Sequence, residues 1–170
     1  MDIILDADMR AVVAAQRLCF AATVTPEGRP NLSPKGTVRV WDDRHLFFCD
    51  IASPGTRRNL EANPWMELNI VDPISRRGYR FLGQAHLHRG DAVYQEATAR
   101  IFRDEGTTYP VEAVVLLEIE SAAPLVSPGY WHGGDEWDMR ATWKARRVEL
   151  DRAFEEHVGS RGAWREGAGE

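Results

Sequence analysis

Short runs of apolar and β-branched residues, each cut off by a strong turn signal, follow one another through the first third of the chain. Leu18–Val24 ends at Pro26-Glu27-Gly28, Asn31–Val40 ends at Asp42-Asp43, and His45–Cys49 makes a third run. Runs this short, joined by turns this tight, favour antiparallel pairing between sequence neighbours. The pattern predicts a meander that buries one face and curls towards a barrel, with the loops at the strand ends free to hold a ligand.

Further elements fit around that meander. Met9, Val12, Val13 and Gln16 share one stripe of a short helix, and Thr56–Ala62 reads as a second helix stopped by Asn63-Pro64. Strands are expected at Trp65–Val71, at Tyr79–His88 with Gly83 as a bulge or close-approach point, and at Val111–Glu120. Between the last two, Asp91 caps a helix running to Arg103. The main domain is expected over 1–125. Four of the six tryptophans lie after residue 130, so 126–158 reads as a Trp-rich helical extension, with Met139, Trp143, Leu150 and Phe154 as its stripe for packing on the barrel or a partner subunit. The Gly-rich stretch 159–170 is expected to be a mobile tail.

At 170 residues, with 44% hydrophobic and 28% charged residues, the composition is that of one globular domain without staples. No apolar run has the length of a membrane span, and the N-terminus lacks the pattern of a secretory signal, so the expectation is a cytoplasmic protein that does not enter a membrane. A net charge of -5 speaks against general nucleic-acid binding. Cys19 and Cys49 lie inside apolar segments and read as buried thiols rather than a disulfide or a metal site.

The chemistry concentrates in two polar stretches, Arg29-Pro30-Asn31-Leu32-Ser33-Pro34-Lys35-Gly36 and Ser53-Pro54-Gly55-Thr56-Arg57-Arg58-Asn59-Leu60. Each combines cations, hydroxyls and a glycine, which suits a phosphate. In the second, Thr56 stands where a helix should begin, so its hydroxyl, the open N–H groups of the first turn and the Arg57 and Arg58 cations converge on one anion. Taken singly, either cluster is as readily a solvated surface. One hairpin strand separates them, however, and a meander brings them to the same edge.

A third group, Arg76-Arg77-Gly78-Tyr79-Arg80, opens the long strand, and Arg80 has strand neighbours to position it against a planar ring or its anionic edge. His86 and His88 share a strand but lack any accompanying metal motif, so no metal is assigned. The chain also lacks the G-x-x-x-x-G-K phosphate loop, the G-x-G-x-x-G dinucleotide fingerprint and the G-x-S-x-G nucleophile elbow.

The order of these signals is the basis of a family resemblance. Thr23-Val24, Gly28-Arg29-Pro30, Asn31-Leu32-Ser33-Pro34-Lys35-Gly36, Phe47-Phe48-Cys49-Asp50, Thr56-Arg57-Arg58-Asn59-Leu60 and Asn63-Pro64 together resemble the pyridoxamine 5'-phosphate oxidase-like family over about residues 10 to 125. That resemblance implies a mainly β fold with flanking helices: a six-stranded antiparallel split β-barrel, homodimeric, binding FMN in clefts at the subunit interface. By similarity, Lys35, Thr56, Arg57 and Arg58 hold the FMN phosphate, and the backbone of Asn31, Leu32 and Ser33 runs along the isoalloxazine ring. Asp50 and Ser53 lie close to the cofactor, and Arg80 approaches it from the partner subunit.

Two departures bear on activity. Gly78 stands where the true oxidase usually has a glutamine, and Ser127-Pro128-Gly129-Tyr130-Trp131-His132 replaces the Arg-Leu-His type sequence that recognises pyridoxamine phosphate. The expected function is an FMN-dependent oxidoreductase that exchanges hydride through the flavin N5 with a small molecule the sequence does not identify, with Arg80, Tyr130 and His132 as the candidate proton donors. The alternatives are a flavin- or haem-binding protein without turnover and a deazaflavin-dependent reductase.

Overall fold

The computed structural model describes residues 5–158. They form two compact units, one taking the chain up to Asp72 together with Arg77–Val126, the other taking Pro73–Arg76 and the chain from Ser127.

The first unit is built on a curled antiparallel sheet, a half-barrel flanked by helices. It opens with α1 (Ala7–Ala15), whose N-cap Asp6 accepts a hydrogen bond from the Met9 N–H at 2.8 Å and whose Val13 is buried. The strands β1 (Cys19–Val24), β2 (Pro30–Lys35), β3 (Arg39–Val40) and β4 (His45–Asp50) follow, then α2 (Pro54–Ala62), β5 (Trp65–Asp72), β6 (Arg77–His88), α3 (Ala92–Glu105) and β7 (Ala113–Val126). The sheet has seven strands in the order β2-β1-β5-β6-β7-β4-β3, not the six expected. The extra strand arises because the run expected over Asn31–Val40 breaks after Lys35. There the Thr37 side chain turns inward, accepting from the Cys49 N–H at 3.0 Å and donating to the Cys49 carbonyl at 3.1 Å, and the chain resumes as the two-residue β3 on the far side of β4.

Two apolar clusters hold the sheet. On the concave side Leu46, Phe48, Leu68, Ile70, Phe81 and Leu117 are buried together. On the other side of β4 and β7, Phe47, Cys49 and Val114 pack under Ala97 and Ile101 of α3. β4 and the first half of β7 are thus buried on both faces, which is why Leu46–Cys49 and Ala113–Leu117 are unbroken apolar runs. Among the described residues nothing comparable covers the outer face of β1, β2 and β5, and Phe20, Val24, Leu32 and Trp65 are exposed along it.

In the second unit a single 3-10 turn (Pro128–His132) precedes α4 (Glu136–Val158). The Tyr130 hydroxyl donates to the Ser75 carbonyl at 2.5 Å, and the Arg76 guanidinium lies over the Trp143 ring, 4.1 Å from its centroid. Of the expected stripe, Met139 and Trp143 are half-buried, whereas Leu150 and Phe154 are more than half exposed (52% and 53%). Residues 159–170, expected as a tail, lie outside the described residues. Among the described residues no helix is long and apolar enough to cross a membrane.

Candidate functional site

The register of β1 against β2 sets the first wall of the site. Cys19, Ala21 and Thr23 stand opposite Lys35, Ser33 and Asn31, so these side chains share the inner face, and Leu32 points to the other. Lys35 is buried, and its Nζ donates to Ser33 Oγ at 2.6 Å and to Ser53 Oγ at 2.5 Å. The ammonium also lies 5.6 Å from the centroid of the Phe48 ring. Burial pulls the Lys35 pKa below the ordinary lysine value, and the negative charge of Asp50 partly opposes that shift.

Ser53 is the N-cap of α2, but its side chain caps nothing. Its hydroxyl is turned to Lys35 instead, so the side chain that ordinarily takes a first-turn N–H leaves the helix start open. The helix begins with Pro54 at its first position, two residues before the expected start at Thr56, because proline's fixed φ and missing N–H suit that place. Thr56 is thereby moved into the first turn, where its hydroxyl is buried and has no hydrogen-bond partner.

Asp50, the last residue of β4, is fully buried. One carboxylate oxygen pairs with Arg57 of α2, while the other, Oδ1, has no partner. Arg57 therefore reaches the site already neutralised by a carboxylate, leaving Lys35 as the cation held only by neutral hydroxyls. Ser33, Lys35, Asp50 and Ser53 line a cavity of about 700 Å³, closed on another side by Arg17 and Tyr109. This volume suits a small cofactor or substrate.

A polar wall of this kind on a split sheet has relatives. The sequence model of pyridoxamine 5'-phosphate oxidase matches residues 5–123, which include every wall residue just described. The chain belongs to the pyridoxamine 5'-phosphate oxidase family. Among solved structures, HupZ of Group A Streptococcus is similar at 31% identity with a TM-score of 0.66, covering 73% of this chain and 96% of that one. An FMN-binding protein from Syntrophomonas wolfei shares the fold at 13% identity (TM-score 0.60, 70% of this chain, 84% of that one). HutZ of Vibrio cholerae, a haem storage protein, shares it at 18% identity (TM-score 0.57, 72% of this chain, 94% of that one). No match is found among curated proteins.

As a member of the pyridoxamine 5'-phosphate oxidase family, the chain gathers some expected residues and disperses others. Ser33, Lys35, Asp50 and Ser53 share the cavity, with Arg57 joined to it through Asp50. Asn31 accepts from the Thr23 hydroxyl at 3.3 Å, and Thr23 accepts from Asn59 of α2 at 2.9 Å, so Asn31 belongs to a buried brace between strand and helix. Leu32 is 64% exposed on the opposite face. Arg58 is exposed on α2 without a hydrogen bond or ion pair among the described residues, and Arg80 is exposed on β6. Arg80 lies in register with Asn69 and, through it, with Phe20, on that same outer face.

Residues absent from the two loops also shape the cavity. Arg17 bonds Glu105 at 3.1 Å, Glu105 also takes Arg39 at 2.6 Å, and Tyr109 completes that wall. Both cysteines are kept as thiols, since burial pushes Cys19 up to about 12 and Cys49 up to about 11. His88 is held at its Nδ1 by Asp91, 2.9 Å away, rather than aimed with His86 at a common point.

Proposed function

We propose that the cavity binds FMN by its phosphate and that the protein is an FMN-dependent oxidoreductase acting on a small molecule. The observation that carries this is Lys35, a buried ammonium held between two hydroxyls beside a helix start that its own N-cap leaves open. An anion suits such a set, through charge-assisted bonds to Lys35 and the first-turn N–H groups. The orphaned Thr56 hydroxyl, one turn away, is a further donor in want of an acceptor. When bound, the flavin supplies hydride exchange with the substrate. The protein's part is to fix its position and to exclude water. Gly78 leaves one flavin contact expected from the family unmade, because a Cβ there would stand 2.0 Å from the Ile70 carbonyl oxygen and no glutamine fits.

The family resemblance and the bare outer face favour a homodimer. Phe20, Val24, Leu32 and Trp65 form an apolar surface that a second copy covers, and Arg80, on the same face, is then presented to the partner subunit. Replacing Phe20 and Leu32 together by aspartate is expected to shift sedimentation from dimer to monomer and to weaken FMN binding with it. A double variant that stays dimeric would place the interface elsewhere.

The deciding experiment is an absorption spectrum of the protein purified without supplements, followed by mass identification of whatever denaturation releases. Flavin bands with FMN released support the proposal. A Soret band with haem released would align the protein with HutZ, and a colourless protein that takes up no added FMN would end the flavin reading. Thr56→Val, which removes the orphaned hydroxyl but keeps its shape, is expected to leave the ligand-free fold as stable as before and to weaken FMN binding by about tenfold. Fluorescence titration with FMN measures this directly.

A further inference from the structure

We propose that a second cavity, between α1, β3 and the last turns of α3, binds an amphipathic monocarboxylate, with its apolar body on Val13, Ala14, Val40 and Phe47 and its carboxylate on Arg100 and Arg103. This cavity shares no lining residue with the one described above, and the inference stands whether or not the protein holds a flavin.

The second cavity has a volume of about 360 Å³, within the range of small-molecule sites. Its lining divides by chemistry. The end of α1 supplies Val13 and Ala14, and the β3–β4 hairpin supplies Val40 and Phe47. From α3 come Arg100 and Arg103, three residues apart and therefore neighbours on one face of the helix. An apolar wall beside two convergent cations asks for a ligand with an apolar body and an anionic end.

The cations differ in how far they are already engaged. Arg39, which also lines the cavity, donates to Glu105 at 2.6 Å, to Asp104 at 3.4 Å and to the Val38 carbonyl at 2.8 Å. Arg100 donates through Nε to Glu96 at 2.8 Å and through Nη1 to the Trp41 carbonyl at 3.4 Å, and the Trp41 ring holds its guanidinium 4.3 Å from the ring centroid. Its Nη2 is left for a ligand. Arg103 is exposed and makes no hydrogen bond or ion pair among the described residues. The two fields overlap: the Glu96 carboxyl is held below the usual carboxylate range by the hydrogen bond and charge of Arg100 and, to a lesser degree, by the charge of Arg103.

Charge then sets the class of anion. Arg17 and Arg39 share Glu105, Arg39 also meets Asp104, and Arg100 meets Glu96, so three carboxylates answer three of the four arginines. The charge of Arg103 is the one left over. A single carboxylate matches it and accepts from both guanidinium forks. A phosphate dianion would bring a second charge beside Asp104, which lines the same cavity.

The test titrates the full chain by calorimetry with octanoate and octanamide, which share a body and differ in charge. The expected result is saturable binding of octanoate, about tenfold tighter or more than octanamide, the worth of one charge-assisted hydrogen bond. Equal affinity of the wild type for the two, or no binding of octanoate, overturns the proposal. Arg103→Gln removes an exposed charge that has no partner to lose, so it is expected to erase the preference while leaving octanamide binding and the melting temperature unchanged. Unaltered octanoate affinity in that variant removes Arg103 from the site and overturns the proposal. Ala14→Phe fills the apolar side and is expected to weaken both probes, and octanoate bound by it as before would lie elsewhere. Lys35→Met alters the first cavity alone and is expected to leave octanoate binding as it was; a loss there would place the probe in the first cavity and overturn the second site. Octyl phosphate binding more tightly than octanoate would overturn the assignment of a monoanion. Uptake or refusal of FMN bears on the flavin reading only.

Discussion

Replacing Lys35 with methionine is expected to weaken FMN binding by about one to two orders of magnitude, the worth of one charge-assisted hydrogen bond, while leaving the ligand-free protein as stable as the wild type or more so. The two effects have one cause. Without ligand the ammonium is buried against two neutral hydroxyls, and desolvation lowers its pKa in the folded state. The unfolded chain then binds the proton more tightly than the folded one does. Between the lowered folded value and the ordinary 10.5, stability therefore rises with pH, and below both values the folded state carries the full cost of the buried charge. Methionine fills similar volume without that cost. Melting curves across the alkaline range should show the wild type gaining stability with pH where Lys35→Met loses that gain. A methionine variant that melts well below the wild type at neutral pH would mean that Lys35 is a structural cation, and unchanged FMN affinity would remove it from the site. Binding here is expected to oppose stability, as it does where a site is built of unsatisfied groups.

What the sequence revealed of this site and what it withheld divide along chain distance. That Ser33, Lys35 and Ser53 come together was legible because each sits in a short stretch whose composition already suits an anion, and because one hairpin brings the two stretches together. Arg57 and Arg58 looked alike as neighbouring cations. Only the fold separates them, since a helix turns adjacent residues about 100° apart: Arg57 meets Asp50 and Arg58 faces outward. Asp50 was marked as close to a cofactor, but its open oxygen depends on where Arg57 ends, which no local pattern encodes. Arg17 and Glu105 are 88 residues apart and carry no motif, so nothing in the sequence signals the wall they form.

The fold was legible by the same logic, strand by strand, up to the point where a side chain rather than a turn signal ends a strand. Thr37 looks like a good strand residue, yet its hydroxyl binds the backbone of Cys49 and so divides one expected strand into β2 and β3. Gly83 was the opposite case, an isolated glycine in a strand whose sequence already announced a bulge or a close approach. Both occur: the register of β6 against β7 slips between Leu82 and Gly83, and a Cβ on Gly83 would stand 1.9 Å from the Glu118 carbonyl oxygen. Backbone cannot yield there as a flexible side chain would, because β7 is itself held between β6 and β4. Gly83→Ala is accordingly expected to cost about 3 kcal/mol or more, a fall of roughly 6–12 °C in Tm for a domain of this size. Gly36→Ala is the control, since a Cβ there meets nothing within 4 Å and its φ is not positive. A melting temperature for Gly83→Ala within about 2 °C of the control would show that the β6–β7 ladder moves apart at little cost, and the bulge would then be a point of give in the sheet rather than a fixed crossing.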